Sequence, residues 1–256
     1  MGYRISHHGK KILHNILRLN LYLVLILWGA PQAYAAQSTS VAINVYLKLP
    51  PHNAVTELVK KFNSFLDEKK IYSQYHLTPF LHEHPLHITL YLTNYHYSQL
   101  PQILKKVAEI AKRTAPITFR TKTIATSPSM YTMLFVISNK SLQQLADEIV
   151  ISLMTLRDKQ AKIPAWVQDD RNKKTSFLNF GSPNVFKNFS PHFSLFAADH
   201  LTKREATNLH AALISLLSEF NKPQTLDVKA QAIAIGIGLA NEQGQIVKEL
   251  HSFPLG

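Results

Sequence analysis

The chain has 256 residues, 46% of them apolar, enough to bury the core of one domain or of two lobes that share one. Its 28 lysines and arginines against 16 acidic residues give a formal charge of +12, which suits an anionic partner, although no long basic arm of the nucleic-acid-binding kind is present. The absence of cysteine excludes disulfides, thiolate zinc sites and a lipidated N-terminal cysteine.

The first segment reads as a signal peptide. Residues 1–20 carry Arg4, Lys10, Lys11 and Arg18 and no acidic residue, residues 21–30 are uncharged and mostly apolar, and Ala33-Tyr34-Ala35 supplies an A-x-A cleavage signature. So short an apolar stretch falls well below the ~20 residues a bilayer-spanning helix needs, which disfavours a membrane anchor. Cleavage near Ala35/Ala36 is expected, leaving a mature chain of 36–256 that works in the periplasm or outside the cell, without stable membrane association. Losing four basic side chains lowers its formal charge to +8.

An apolar run at Ile43–Leu49 predicts a strand, and a helix is predicted near Ala54–Lys69. The polar stretch that follows contains His82-Glu83-His84, a metal-binding pattern at a glance. In extended chain His82 and His84 share a face while His87 points the other way, and Pro85 breaks the geometry. A loop leading into the next strand is the preferred reading.

That strand is Pro85-Leu86-His87-Ile88-Thr89-Leu90-Tyr91, where a histidine stands two residues before a hydroxyl. Residues i and i+2 of a strand point to one face, so His87 and Thr89 are expected to project together, with Tyr91 beyond them as a possible groove residue. A helix to about Arg113 and a strand opening Pro116-Ile117-Thr118-Phe119-Arg120-Thr121-Lys122 come next.

The same order then recurs. A strand at Met133–Ile137 leads into a helix near Leu142–Lys159, whose start Ser141-Leu142-Gln143-Gln144 resembles a capping box. The stretch from Ala161 to Ser190 reads as a long polar loop containing the densest basic patch, Arg171, Lys173 and Lys174, a candidate hold for substrate phosphates. Beyond it, Ser190-Pro191-His192-Phe193-Ser194-Leu195-Phe196 repeats the motif, placing His192, Ser194 and Phe196 as the counterparts of His87, Thr89 and Tyr91. A helix to about Phe220 and Pro223-Gln224-Thr225-Leu226-Asp227-Val228-Lys229 complete the second copy.

The pattern H-x-[ST] occurs five times, so alone it says little. His76-Leu77-Thr78 runs into Pro79, which argues against a central strand. Ser98 after His96, and Thr202 with Glu205 after His200, read as helix caps. Only His87 and His192 lie inside alternating strand patterns, at the same place in each copy. A duplicated unit implies pseudo-twofold symmetry, which would set the two motif strands side by side.

The segments His87-Ile88-Thr89-Leu90 and His192-Phe193-Ser194-Leu195, the second introduced by Ser-Pro, resemble the paired motifs of the 2H phosphoesterases, the family of 2',5'-RNA ligase-like proteins and cyclic nucleotide phosphodiesterases. The closing run Ile246–Leu255 is similar to that family's final strand, and the resemblance extends over roughly Val41 to Leu255. It implies an α+β fold of two related lobes, each an antiparallel sheet packed against helices, with a central groove. The halves fall at about 41–125 and 131–255, with interleaved strands, in one bilobal domain.

The residue types define the expected chemistry. Opening a 2',3'-cyclic phosphate, or cleaving a 2',5' linkage, needs a base for water and an acid for the departing ribose oxygen, and histidine titrates near neutrality. His87 and His192 are the expected catalytic pair, with the order of their roles open. Thr89 and Ser194 are the expected donors to the phosphate oxygens. This scheme uses no metal and no cofactor; a monomer acting on a nucleotide or RNA phosphodiester is expected. The alternative is an exported nucleotide- or phosphoester-binding protein, or an effector, that keeps the groove without turnover.

Overall fold

The computed structural model describes residues 39–127, 130–222 and 225–256. The expected signal peptide therefore lies outside the described residues. Eight strands form two four-stranded antiparallel sheets: β1 (Ser40–Lys48), β2 (His87–His96), β7 (Ala234–Ala240) and β8 (Ile246–Pro254) in the order β2-β1-β7-β8, and β3 (Ile117–Thr126), β4 (Tyr131–Ile137), β5 (His192–Ala197) and β6 (Lys229–Ala232) in the order β5-β4-β3-β6. The architecture is α+β with two lobes, and the motif strands β2 and β5 meet where the lobes join.

The helices follow from capping and periodicity. Helix α1 (Ala54–Glu68) starts at Asn53, whose side chain accepts from the Thr56 amide, and it buries the stripe Val55, Leu58, Val59, Phe62 and Leu66. Helix α2 (Leu100–Arg113) has a proline in its first turn and buries Ile103, Val107, Ile110 and Ala111 against β7 and β8. Its cap is Gln99 in a short 3-10 turn, not Ser98. Helix α3 (Lys140–Leu153) is capped by Asn139, which accepts from the Leu142 amide, so the start lies ahead of the Ser141 box read from sequence. Thr202 and Glu205 do form a capping box, at the head of the last helix, α5 (Lys203–Asn221).

Two expectations need correction. The stretch 161–190 is not one long loop: Arg171–Phe180 is a helix, α4, capped by Asp170 at its start and by left-handed Gly181 at its end. Its few apolar residues hid it from a periodicity reading. Second, the Pro223–Lys229 segment is not the structural copy of β3. Thr225–Val228 has no strand structure and leads into β6, which pairs with β3 itself. The partner of β3 in the symmetry is β7: β3 lies beside β4 in one sheet as β7 lies beside β1 in the other. The first half thus lends β3 to the opposite sheet and the second half lends β7 and β8, and a single cluster of buried side chains runs through both.

Candidate active site

Both motif strands carry the same irregularity at the same place. In the β1–β2 pairing, Val45 faces Tyr91 and the next residue, Tyr46, faces Thr89, so Leu90 is bulged out of register. In the β4–β5 pairing, Thr132 faces Phe196 and Met133 faces Ser194, so Leu195 is bulged. A bulge adds one residue and reverses the alternation beyond it. His87 with Thr89, and His192 with Ser194, keep one face; Tyr91 and Phe196 turn to the other. Both aromatics lie in the core, essentially without exposure. Of the two places open to such strand aromatics, groove floor or core, the structure gives the core, and the reason is a single inserted residue in each strand.

The two imidazoles are clamped alike. Nδ1 of His87 lies 2.9 Å from the Pro85 carbonyl oxygen, and Nδ1 of His192 lies 2.7 Å from that of Ser190. A carbonyl only accepts, so in both rings Nδ1 carries the hydrogen. Nε2 of each neutral ring is then a lone-pair acceptor, and the protonated ring offers Nε2–H as a donor. In each repeat the clamp comes from two residues upstream.

His87 is the more enclosed of the pair. Its ring is 6% exposed and packs edge-on against Tyr46 at 5.3 Å between centroids. Burial pushes its pKa down to about 4, and the charges of His192 and His84 push the same way against the Pro85 and Gly244 carbonyls. His192 is half-buried, 6.0 Å from the Phe135 ring. Its pKa is lowered too, first by burial and then by the nearby Lys173 ammonium. The charge of His192 is felt at His87, and the surroundings of both rings favour the neutral form.

A residue that periodicity passed over organises the His87 side. Asn44, fully buried on β1, turns Nδ2 toward three acceptors: Thr89 Oγ1 at 2.9 Å, the Gly244 carbonyl at 3.1 Å and His87 Nε2 at 3.4 Å. Because the Thr89 hydroxyl accepts from Asn44, its own hydrogen is left to donate elsewhere. The clue was a lone amide inside an apolar strand, since buried polar groups need partners. Tyr46, two residues on, donates to Glu249 at 2.7 Å, and Glu249 also pairs with Lys48 at 2.8 Å. Tyr46 lies over Gly236, so closely that an added Cβ would collide with the ring. Alternating glycines in β7, at Gly236 and Gly238, were the sequence sign of that close approach.

On the other side the basic patch sits on α4. Its end is tied to β2, where Tyr91 Oη donates to the Phe180 carbonyl and Thr93 Oγ1 donates to that of Gly181 at 2.7 Å. Of the three cations, Lys173 is the one whose charge is felt at His192. Arg171 is exposed on the first turn and Lys174 is half-buried beside Lys173. His82 and Glu83 belong to a short helical turn, Phe80–Glu83, and His84 Nδ1 lies 3.0 Å from the Ile246 carbonyl, a structural contact between loop and β8.

Two strand histidines, each with a hydroxyl two residues on and each clamped through Nδ1, stand on motif strands that meet between the two sheets, and together they form a candidate two-histidine site. The family model of the 2'-5' RNA ligase superfamily matches residues 49–235, and the chain belongs to that superfamily, the 2H phosphoesterases. Membership carries a phosphoesterase-type activity with it. No curated protein matches the sequence. Among solved structures, TT0787 of Thermus thermophilus is similar with a TM-score of 0.50 at 15% identity, covering 84% of this chain and 97% of its own. Kluyveromyces marxianus Usb1 is similar with a TM-score of 0.51 at 10% identity, covering 84% and 98%. At these identities the likeness is one of fold. Usb1 has also been solved with uridine monophosphate.

Proposed function

We propose that the protein is a metal-independent phosphodiesterase that opens 2',3'-cyclic phosphates of nucleotides or RNA ends, or cleaves 2',5' linkages. The observation that carries this reading is the matched clamp, Nδ1 of His87 on Pro85 and Nδ1 of His192 on Ser190, which makes Nε2 the proton-transferring nitrogen of each ring, with the Asn44 amide approaching that of His87 at 3.4 Å. One Nε2 takes a proton from water as its oxygen bonds to phosphorus. The P–O bond to the ribose oxygen breaks, and the other Nε2–H protonates that oxygen. Thr89 and Ser194 donate to the non-bridging oxygens, where negative charge builds. Base, acid and charge stabilisation are thereby supplied without a metal.

Two neutral histidines in the free site do not conflict with this scheme. A phosphodiester brings a negative charge between them and favours a proton on one. The excess of basic side chains steers such substrates inward. We place the activity outside the cytoplasm on the strength of the leader in residues 1–35; N-terminal sequencing after expression in a bacterial host is expected to begin at Ala36. The function itself is tested by incubating the protein, in excess chelator, with 2',3'-cyclic nucleotides and 2',5'-linked dinucleotides. Ring opening or cleavage to nucleotide products is expected. A folded protein that turns over none of them contradicts the proposal.

A further inference from the structure

A half-exposed tryptophan stands against helix α4. Trp166 sits in a 3-10 turn, Ala165–Val167, and keeps 51% of its surface open, while its neighbour Val167 is fully buried and anchors the turn. Over its ring, 5.1 Å from the centroid, lies the Lys173 ammonium. An indole face and a cation held together form the surface that a nucleotide takes best, the base by stacking and the phosphate by charge.

The platform is fixed to both motif strands. The end of α4 is bound to β2 through Tyr91 and Thr93. Its beginning is bound to the lead-in of β5: the Asn188 amide donates to Ser176 Oγ at 2.8 Å and approaches the Asn172 carbonyl at 3.5 Å. Asn188 stands two residues before Ser190, whose carbonyl clamps His192. Lys173 and Trp166 are therefore held at the His192 side of the groove, and the Lys173 charge reaches that imidazole.

We propose that Trp166 and Lys173 form a subsite for the nucleoside next to the reacting phosphate, so that the preferred substrate is a single-stranded RNA end and not a mononucleotide. The base stacks on Trp166, and Lys173 takes the phosphate that joins this nucleoside to the next. This rests on the phosphodiesterase reading for the reacting phosphate, but the stacking surface can be probed by itself.

The test compares a 2',3'-cyclic mononucleotide with a trinucleotide ending in the same cyclic phosphate. The wild type is expected to show a higher kcat/KM on the trinucleotide. Trp166→Ala is expected to lower the trinucleotide-to-mononucleotide ratio about tenfold or more, mainly through KM, while Trp166→Phe retains most of it. A ratio unaffected by Trp166→Ala, with mononucleotide turnover present, overturns the subsite and leaves the phosphodiesterase reading standing. Direct binding is read in the full chain carrying Trp28→Phe, where Trp166 is the remaining tryptophan. Saturable quenching of its emission by a 3'-phosphorylated trinucleotide, weakened by Lys173→Ala, supports the subsite even if no substrate turns over. Emission that stays unchanged throughout the titration overturns it.

Discussion

His87 is held neutral by its surroundings, and that has a consequence for stability. In the folded protein it protonates near pH 4, whereas an unfolded histidine does so near 6.5. As pH falls through that window the unfolded chain takes up a proton the folded site refuses, so stability is lost with acid. The loss attributable to this residue is about 3 kcal/mol between neutral pH and pH 4. Denaturant unfolding followed across that range measures it, and His87→Gln is expected to flatten the dependence. Asn44 acts on the same ring. Its Nδ2 faces the Nε2 lone pair and favours the neutral form, and it also turns the Thr89 hydrogen outward. In Asn44→Leu, kcat should fall about tenfold or more as the aimed hydroxyl loses its orientation. Whichever limb of the kcat/KM profile His87 sets should move to higher pH in the same variant, a shift that mere loosening of the strand does not produce. An unchanged pH profile would remove Asn44 from the proton balance.

At the scale of elements, the two bulges are what make the motif strands work. Leu90 and Leu195 are each the one inserted residue, so the histidine and hydroxyl share one face while Tyr91 and Phe196 go to the core. Period-two alternation made the strands, the histidines and their hydroxyls legible, because those positions precede the irregularity. It could not show the irregularity, since a bulge has no fixed residue signature, and the choice between groove and core for Tyr91 and Phe196 stayed open for that reason. Helix α4 escaped because its polar residues bury little, and its support comes from tertiary bonds at Phe180, Gly181 and Asn188. Interleaved strands were expected, but which strand of the second half takes the place of β3 was out of reach, because the short T-[FL]-x-x-K likeness at Lys229 pointed to the neighbouring strand. Strand β7 offers a direct test of packing around the site. Gly236→Ala places a methyl group in the Tyr46 ring and should cost about 1–3 kcal/mol, measured by denaturant unfolding. Activity should drop with it, since Tyr46 is packed against His87. Wild-type stability in this variant would contradict the close approach.

At the scale of the molecule, the exchanged strands make the two lobes one folding unit. β3 belongs in sequence to the first half but lies within the sheet of the second, and β7 and β8 do the reverse. The shared core carries buried side chains from both. Thermal unfolding followed by far-UV circular dichroism and by tryptophan emission is expected to give one coincident transition. Residues 39–127 expressed alone are expected to lack a cooperative transition, because β3 has lost its sheet. Two separated transitions in the whole chain would count against the shared core. The same arrangement bears on the proposed site: each motif strand lies in its own sheet, as the proposed approach of two imidazoles to one phosphate requires.

The central claim is that two histidines divide the proton transfers of one phosphodiester reaction, and it is tested by the rate on a 2',3'-cyclic nucleotide in excess chelator for the wild type, His87→Ala and His192→Ala. Each substitution is expected to lower kcat by about 10²–10⁴ while the fold, followed by circular dichroism, is retained. The wild-type profile should be bell-shaped in pH, with one limb lost in each variant. Turnover that survives either substitution within a few-fold of wild type would contradict the two-histidine mechanism.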